Sequence, residues 1–337
     1  MKKILSVLLA MSMIFTLTAC GSKEAETSPG ESDTTTAQDE KLDYPESGEL
    51  RIMVPFKTGG ALDVQVRTTA KYLADVLGVN VVVENTAGAG GQLGTTEYLS
   101  EEANTSTILL TDGWLMTVTP LVSQVQYSVD EYVPIIDHNI TNFCLFANPK
   151  KTGIETFEDL QEYGKSSRVV FGSGGAGTSL YILQKSLLDQ MDIASDTITQ
   201  NNTSEGLANL MAGTVDVSVS SFKDAADYVK NGDIVPILWF GDDTYTDDDA
   251  FSAGVPCAKD KGIDITYTGF YYYSIRKGTD AAIVEKLHDA INEVYANPDF
   301  IAESEQIGFQ PTGITSDEIT AYLDEFTTMA KTTFTLD

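Results

Sequence analysis

The sequence predicts an α/β protein built from two series of strand–helix units. Three observations carry this. Short apolar runs alternate with helical patterns from Leu50 onward, the strands repeatedly end at glycine-containing turns, and the pattern restarts near Lys150. Such alternation marks βα units in mostly parallel sheets. A chain of 337 residues fits two domains at roughly 150 residues each. Its 42% hydrophobic content is enough for a full core, which excludes wholesale disorder.

In the first series, Arg51–Val54 reads as a strand that breaks at Pro55 and Gly59-Gly60, and Asp63–Leu77 as a helix stopped by Gly78. Asn80–Glu84 is a second strand, followed by Gly88-Ala89-Gly90-Gly91 and a helix over about 92–100. Thr107–Leu110 is a third strand, ending at Gly113-Trp114. In the second series, a short helix over Thr156–Tyr163 precedes the strand Arg168–Phe171, a loop at 172–179 and a helix to about Gln190. Thr197–Thr199 leads through Asn201-Asn202-Thr203-Ser204 into a helix ending near Gly213. Val215–Val219 leads through Ser220-Ser221 into another helix, and Ile234–Phe240 is a further strand. Asp242–Asp249 is an acidic surface loop, Tyr267–Ile275 an extended aromatic stretch, and Ala281–Tyr295 and Ser316–Thr328 are closing helices.

The N-terminus has a different character. Met1-Lys2-Lys3 precedes an apolar run, Ile4–Thr18, too short to cross a bilayer comfortably, so it reads as the core of a signal peptide. It ends in Leu17-Thr18-Ala19-Cys20-Gly21, which resembles the lipobox of bacterial lipoproteins. That resemblance implies cleavage of residues 1–19, lipidation of Cys20, and an anchored protein on the extracytoplasmic face of the membrane; each buried CH₂ of a lipid chain contributes about 0.8 kcal/mol. Residues 20–43, rich in Ser, Thr, Glu and Asp, cannot bury a core and read as a disordered tether.

Composition narrows the function classes. The formal net charge is −29 and only Arg51, Arg67, Arg168 and Arg276 are arginines, which argues against nucleic-acid binding. Two His and three Cys leave little material for a metal site or a His-based catalytic centre, so no cofactor, no metal and no enzymatic activity are expected. The spacing Gly172, Gly174, Gly177 fits G-x-G-x-x-G, but the acidic residue that a dinucleotide fold places after a second strand is missing.

Loops that follow parallel strands converge on one sheet edge, where ligands bind. Each leads into a helix N-terminus, whose unpaired N–H groups and partial positive charge suit an anion. The sequence repeats this device at 59–63, 88–91, 172–179 and 201–204, which points to an anion-binding cleft between two domains. A helix terminus contributes about 0.3–1 kcal/mol and a charge-assisted hydrogen bond about 1.5–3. Several together reach the roughly 8 kcal/mol of a micromolar complex. The acidic surface, screened over about 8 Å at physiological salt, does not forbid an anion; it leaves a neutral or amine-bearing solute open.

Val54–Asp63 (VPFKTGGALD), Val82–Gly91 (VVENTAGAGG) and Phe171–Leu180 (FGSGGAGTSL) resemble, in this order, the solute receptors of tripartite tricarboxylate transporters, the Bug receptor family. The likeness runs from about Tyr44 to the C-terminus and includes Ala212–Val217 and Val229–Gly232. It implies a periplasmic-binding-protein type II-like fold: two α/β domains, 44–145 plus 271–337 and 146–270, around a ligand cleft, with crossover strands near Phe143–Ala147 and Phe270–Ile275. It also implies capture of a small carboxylate, such as a di- or tricarboxylate, by a monomer that delivers it to a membrane permease of one large and one small subunit. The ligand contacts it implies are Phe56, Lys57, Thr58, Gly59, Gly60, Asp63, Ala89, Gly90 and Gly91 from the first domain and Ser173, Gly177, Thr178 and Ser179 from the second; the other loop ends add Trp114, Asn202 and Ser220. The sequence departs from the family at Lys57, where a small residue is usual, at Thr86-Ala87 in place of Arg-Pro, at Gln200-Asn201-Asn202 in place of Tyr-Lys-Gly, and at Tyr272 in place of Gly.

Several residues carry two readings. Lys57 reaches the cleft or stays a surface lysine. Asp63 orders its loop at the helix start or touches ligand. Trp114 lines the cleft or packs in the core, and among Phe270 and Tyr271–Tyr273 one or two rings face the cleft. His138 and His288 lie outside the glycine loops, and Cys144 and Cys257 are expected as free thiols. The alternatives to a transport receptor are a sensor feeding a membrane kinase and an exported enzyme. No Ser-His-Asp, Cys-His or metal constellation supports the enzyme.

Overall fold

The computed structural model describes residues 44–333, apart from 177, 247, 248 and 310. The signal peptide, Cys20, the tether and Gly177 lie outside the described residues.

The first series forms β1 (Glu49–Val54), α1 (Ala61–Leu77), β2 (Asn80–Asn85), α2 (Gln92–Glu97), β3 (Thr107–Asp112), and the short helices α3 (Gly113–Thr117) and α4 (Thr119–Val122). A long strand, β4 (Tyr132–Ala147), follows. The second series runs α5 (Pro149–Thr152), α6 (Phe157–Gly164), β5 (Val169–Ser173), α7 (Ser179–Gln190), β6 (Ser195–Thr199), α8 (Thr203–Ala212), β7 (Val217–Ser221), α9 (Phe222–Lys230) and β8 (Val235–Trp239). Then come β9 (Thr268–Arg276), α10 (Ala281–Tyr295), α11 (Pro298–Gln306) and α12 (Ser316–Thr333).

The strands join in the order β2-β1-β3-β9-β4-β7-β5-β6, with β8 also on β4. Within each series the pairing is parallel: β1 with β2 and β3, β5 with β6 and β7. The expectation of mostly parallel sheets holds inside each series and fails between them. Every pair made by β4 or β9 is antiparallel, because these strands carry the chain from one half to the other and back. On β4, Asn142 still pairs with Thr268 of β9, while Phe143 pairs with Ser221 of β7. The return falls at Tyr267, whose N–H donates to the Phe240 carbonyl at 2.7 Å, one residue before β9 begins. That is a little ahead of Phe270–Ile275.

Each half has its own core. Leu50, Ile52, Val54, Leu73, Ile108 and Leu110 pack with α10 residues Leu287 and Ile291 in the first. Leu145, Val169, Phe171, Leu183, Val219 and Leu238 pack in the second. Full burial of such a side chain contributes about 1.5–3 kcal/mol. Trp114 is 2% exposed and belongs to this second cluster. Its ring meets Tyr267 edge-on at 4.8 Å and Phe326 at 5.7 Å, so of its two readings core packing is the one observed.

The caps set the loop ends. Thr178 Oγ1 accepts from Tyr181 N–H, Asn202 Oδ1 from Glu205 N–H, and Ser221 Oγ from Asp224 N–H, each satisfying one donor at the start of α7, α8 and α9.

Candidate functional site

A cavity of about 400 Å³ opens between the halves, at the C-terminal ends of β1, β3, β5, β6 and β7. Its wall includes the first residues of four helices: Ala61, Leu62 and Asp63 of α1, Ser179 and Leu180 of α7, Thr203 of α8, and Phe222, Lys223 and Asp224 of α9. First-turn N–H groups have no partner within their helix, so this wall is rich in donors for an anion. The four termini differ from the expected set in one place. The loop at 88–91 contributes only Gly90, and α9 takes the fourth position.

Of the expected site residues, Phe56, Lys57, Gly60, Asp63, Gly90, Thr178, Ser179 and Asn202 line the cavity. Thr58, Gly59 and Ala89 are exposed on their loops and stand off the wall. Gly91 is buried, where a Cβ would meet Leu115 and Phe56. Ser173 is fully buried beneath the wall, its Oγ bonded to Thr197 Oγ1 at 3.2 Å and accepting from Gly175 N–H at 3.3 Å. Ser220 points away, because successive strand residues face opposite sides. It pairs with Cys144 and is wholly buried, and the next residue, Ser221, lines the cavity instead.

Asp63 is 2% exposed and fully engaged within the protein. Its Oδ2 accepts from Gly59 N–H at 2.8 Å and Arg67 Nε at 3.1 Å, and its Oδ1 from Asn85 Nδ2 at 2.9 Å. Arg67 Nη2 lies 3.0 Å from Oδ1. Burial alone would raise its pKa, but the hydrogen bonds from Arg67, Gly59 and Asn85 outweigh it and hold the carboxyl below its ordinary value. Helix α1 starts at Gly60 without a side-chain cap, so Asp63 orders the loop from one turn inside.

Among the described residues, contacts from both sides bridge the halves across the cavity. Lys57 Nζ donates to Asn201 Oδ1. Asn201 in turn donates through its backbone N–H and Nδ2 to Glu205 Oε2, both at 2.7 Å, and these bonds hold Glu205 below the usual carboxylate range. Lys223 Nζ donates to the Glu305 carbonyl at 2.9 Å. Gly90 has φ +67, and a Cβ on it would lie 2.4 Å from Thr178 Cγ2, so only glycine permits this approach. Lys57 thus fits both of its readings: it is exposed, yet it reaches over the cleft.

The sequence reading missed part of the wall: Asp112, Asn139–Phe143, Gln200, Lys223, Tyr245, Ile307 and Gly308. Of the aromatic stretch, Tyr267 and Tyr271 reach the cavity. Asp112 carried a readable signal, a carboxylate at a strand's C-terminal end just before Gly113. His138 is fully buried between Phe309 and Tyr273, at ring distances of 4.6 and 5.1 Å; burial pushes its pKa down to about 3, which leaves it neutral. Cys144 and Cys257 are buried free thiols. Among the described residues, no group of three or more His, Cys, Asp or Glu could hold a metal ion.

Residues 65–333 match the TctC family, described as the tripartite tricarboxylate transporter family receptor. The chain belongs to this family. The receptor is 27% identical over 285 residues to a UPF0065 protein of Cupriavidus necator, covering 82% of this chain and 83% of that one. It is 25% identical over 286 residues to BugT of Bordetella pertussis, covering 83% and 86%. Among solved structures it resembles a periplasmic transporter with TM-score 0.73 and 23% identity, over 86% of this chain and 96% of that one. It also resembles MatC of Rhodopseudomonas palustris with bound malate, with TM-score 0.70 and 18% identity over 84% and 98%. A third likeness is to Rpa4515 of R. palustris with adipate, with TM-score 0.71 and 17% identity over 85% and 97%. At these identities the structural likeness speaks for the fold, that of periplasmic binding proteins. The receptor is therefore a solute-binding protein of a tripartite transport system.

Proposed function

We propose that the receptor captures a small carboxylate in the cavity between its halves and delivers it to a permease of one large and one small subunit. The observation that carries this reading is the convergence of four helix N-termini, from both halves, on one cavity of about 400 Å³. A carboxylate placed there accepts from main-chain donors on both sides, and its binding would favour the state in which the halves meet. Lys57 and Lys223, already bridging at the rim, add positive charge. The bound malate of MatC and adipate of Rpa4515, in structures of the same fold, support a diacid-sized guest.

The halves that act as lobes follow the expected division, 44–145 plus 271–337 and 146–270, with each crossing a few residues earlier, after Asn142 and after Tyr267. Signal-peptide removal and lipidation of Cys20 put the monomeric receptor on the extracytoplasmic face, where the tether lets it reach the permease. Among the described residues, no helix is long and apolar enough to cross a membrane. Binding, not turnover, is the activity.

Thermal melting of the purified receptor against malate, succinate, glutarate, adipate and citrate tests the reading. At 100-fold over Kd a ligand adds about 2.7 kcal/mol to the native state, a shift of several degrees. No shift with any acid in the panel would overturn the proposal.

A further inference from the structure

The cavity floor holds a carboxyl that carboxylate capture does not use. Asp112 ends β3 and is 4% exposed, yet it lines the cavity. It stands opposite Tyr271 in the β3–β9 pairing, and Tyr271 stands opposite Asn139 of β4. Directly opposed residues project from one face, so the three form a row across three strands, all in the cavity wall. Asp112 caps α3: its Oδ1 accepts from Trp114 N–H at 2.9 Å, and the Leu115 N–H also donates to the carboxyl. Among the described residues, no Lys, Arg or His nitrogen pairs with this carboxyl. The two cationic side chains that line the cavity, Lys57 and Lys223, are engaged at its rim.

A buried carboxylate without a cation is costly, and a second carboxylate brought against it is repelled. The nearby rings favour the opposite charge. Tyr267 and Tyr271 line the same wall, and aromatic faces attract cations. The formal net charge of −29 opposes the approach of a dianion and spares a zwitterion.

We propose that the ligand bears an amine as well as a carboxylate, and that Asp112, set in a row with Tyr271 and Asn139 at the cavity floor, receives the ammonium group. The inference rests on the carboxylate-capture reading and narrows it to amino acids and related zwitterions. Burial pushes the Asp112 carboxyl up to about 7. The titratable groups whose electrostatics couple to it, Tyr127, Tyr267, Tyr271 and Tyr272, are phenols that burial holds protonated. An ammonium beside Asp112 lowers its pKa, so binding at pH 7 releases protons. A diacid would keep it neutral, and binding would take protons up.

The test is calorimetry at pH 7 in two buffers of different ionisation enthalpy, with matched probes: L-aspartate against succinate, L-glutamate against glutarate, and 5-aminovalerate against valerate. At least one amine-bearing probe should bind about tenfold or more tighter than its partner, with net proton release. In Asp112→Asn and Asp112→Ser, both of which keep a helix-capping side chain, that preference should fall toward one and the proton release should vanish. Equal or tighter binding of the deaminated acids, proton uptake, or an unchanged preference in the variants would overturn the inference and leave carboxylate capture standing. If neither series binds, carboxylate capture falls and this inference falls with it.

Discussion

Two aspartates in the cavity wall are treated in opposite ways. Asp63 and Asp112 are both almost wholly buried, at 2% and 4% exposed. Asp63 is held by Arg67, Asn85 and the Gly59 N–H and is kept ionised. Asp112 is held by main-chain donors alone, and burial raises its pKa. Asp63 is complete within the protein, whereas Asp112 is the carboxyl that we propose a ligand's ammonium group completes. Burial and residue type do not separate a structural carboxylate from a functional one; the identity of its partners does.

The comparison can be broken from either side. Asp63→Ala leaves Arg67, Asn85 and the Gly59 N–H without their acceptor and should destabilise the receptor by about 3 kcal/mol, measured by urea unfolding at pH 7. The folded Asp63 has a lowered pKa, so its contribution is present above the ordinary carboxylate value and is lost as the pH falls through the folded one. The variant should therefore lose less stability on acidification than the parent.

Asp112→Asn should do the reverse. The folded Asp112 binds its proton more tightly than the unfolded chain does, so stability is lost as the pH rises from about 4 toward the folded value of about 7. Removing the charge should stabilise the ligand-free receptor by about 2 kcal/mol at pH 8 and by little at pH 4, measured by urea unfolding at both. A destabilised variant at pH 8 would mean that an unseen partner already satisfies Asp112.

Lys57→Met sharpens the contrast between wall and rim. Its bond to Asn201 is exposed, so stability should change by less than about 0.5 kcal/mol. The loss of one bridge between the halves should still speed ligand release severalfold, read by stopped-flow fluorescence of the cleft tyrosines.

The parallel units were legible because each strand ends at a glycine or a capping residue that starts a helix, as at Gly60, Thr178 and Asn202. Most of β4 was not. Its run includes Pro134, Asp137, His138 and Asn139, of which the last three are buried, and that interrupts the apolar alternation of a strand. The groups that make Asp137 tolerable there are distant in sequence: its carboxylate accepts from Thr312 N–H and Ile314 N–H, both at 2.8 Å. Ser220 in place of Ser221 was an error of register, because a loop motif does not say which way the last strand residue points. Trp114 sits just past a strand end like the cavity residues, and packing against Phe326 of α12 decided its place.

The chain passes between the halves at Asn142–Phe143 and at Tyr267–Thr268, and Asn142, Phe143 and Tyr267 are themselves cavity wall. Any rocking of one half on the other must turn about these neighbouring backbones, as a book turns on its spine. A guest lodged at the floor leans on that spine, so the surface that senses occupancy and the joint that answers it are one set of atoms.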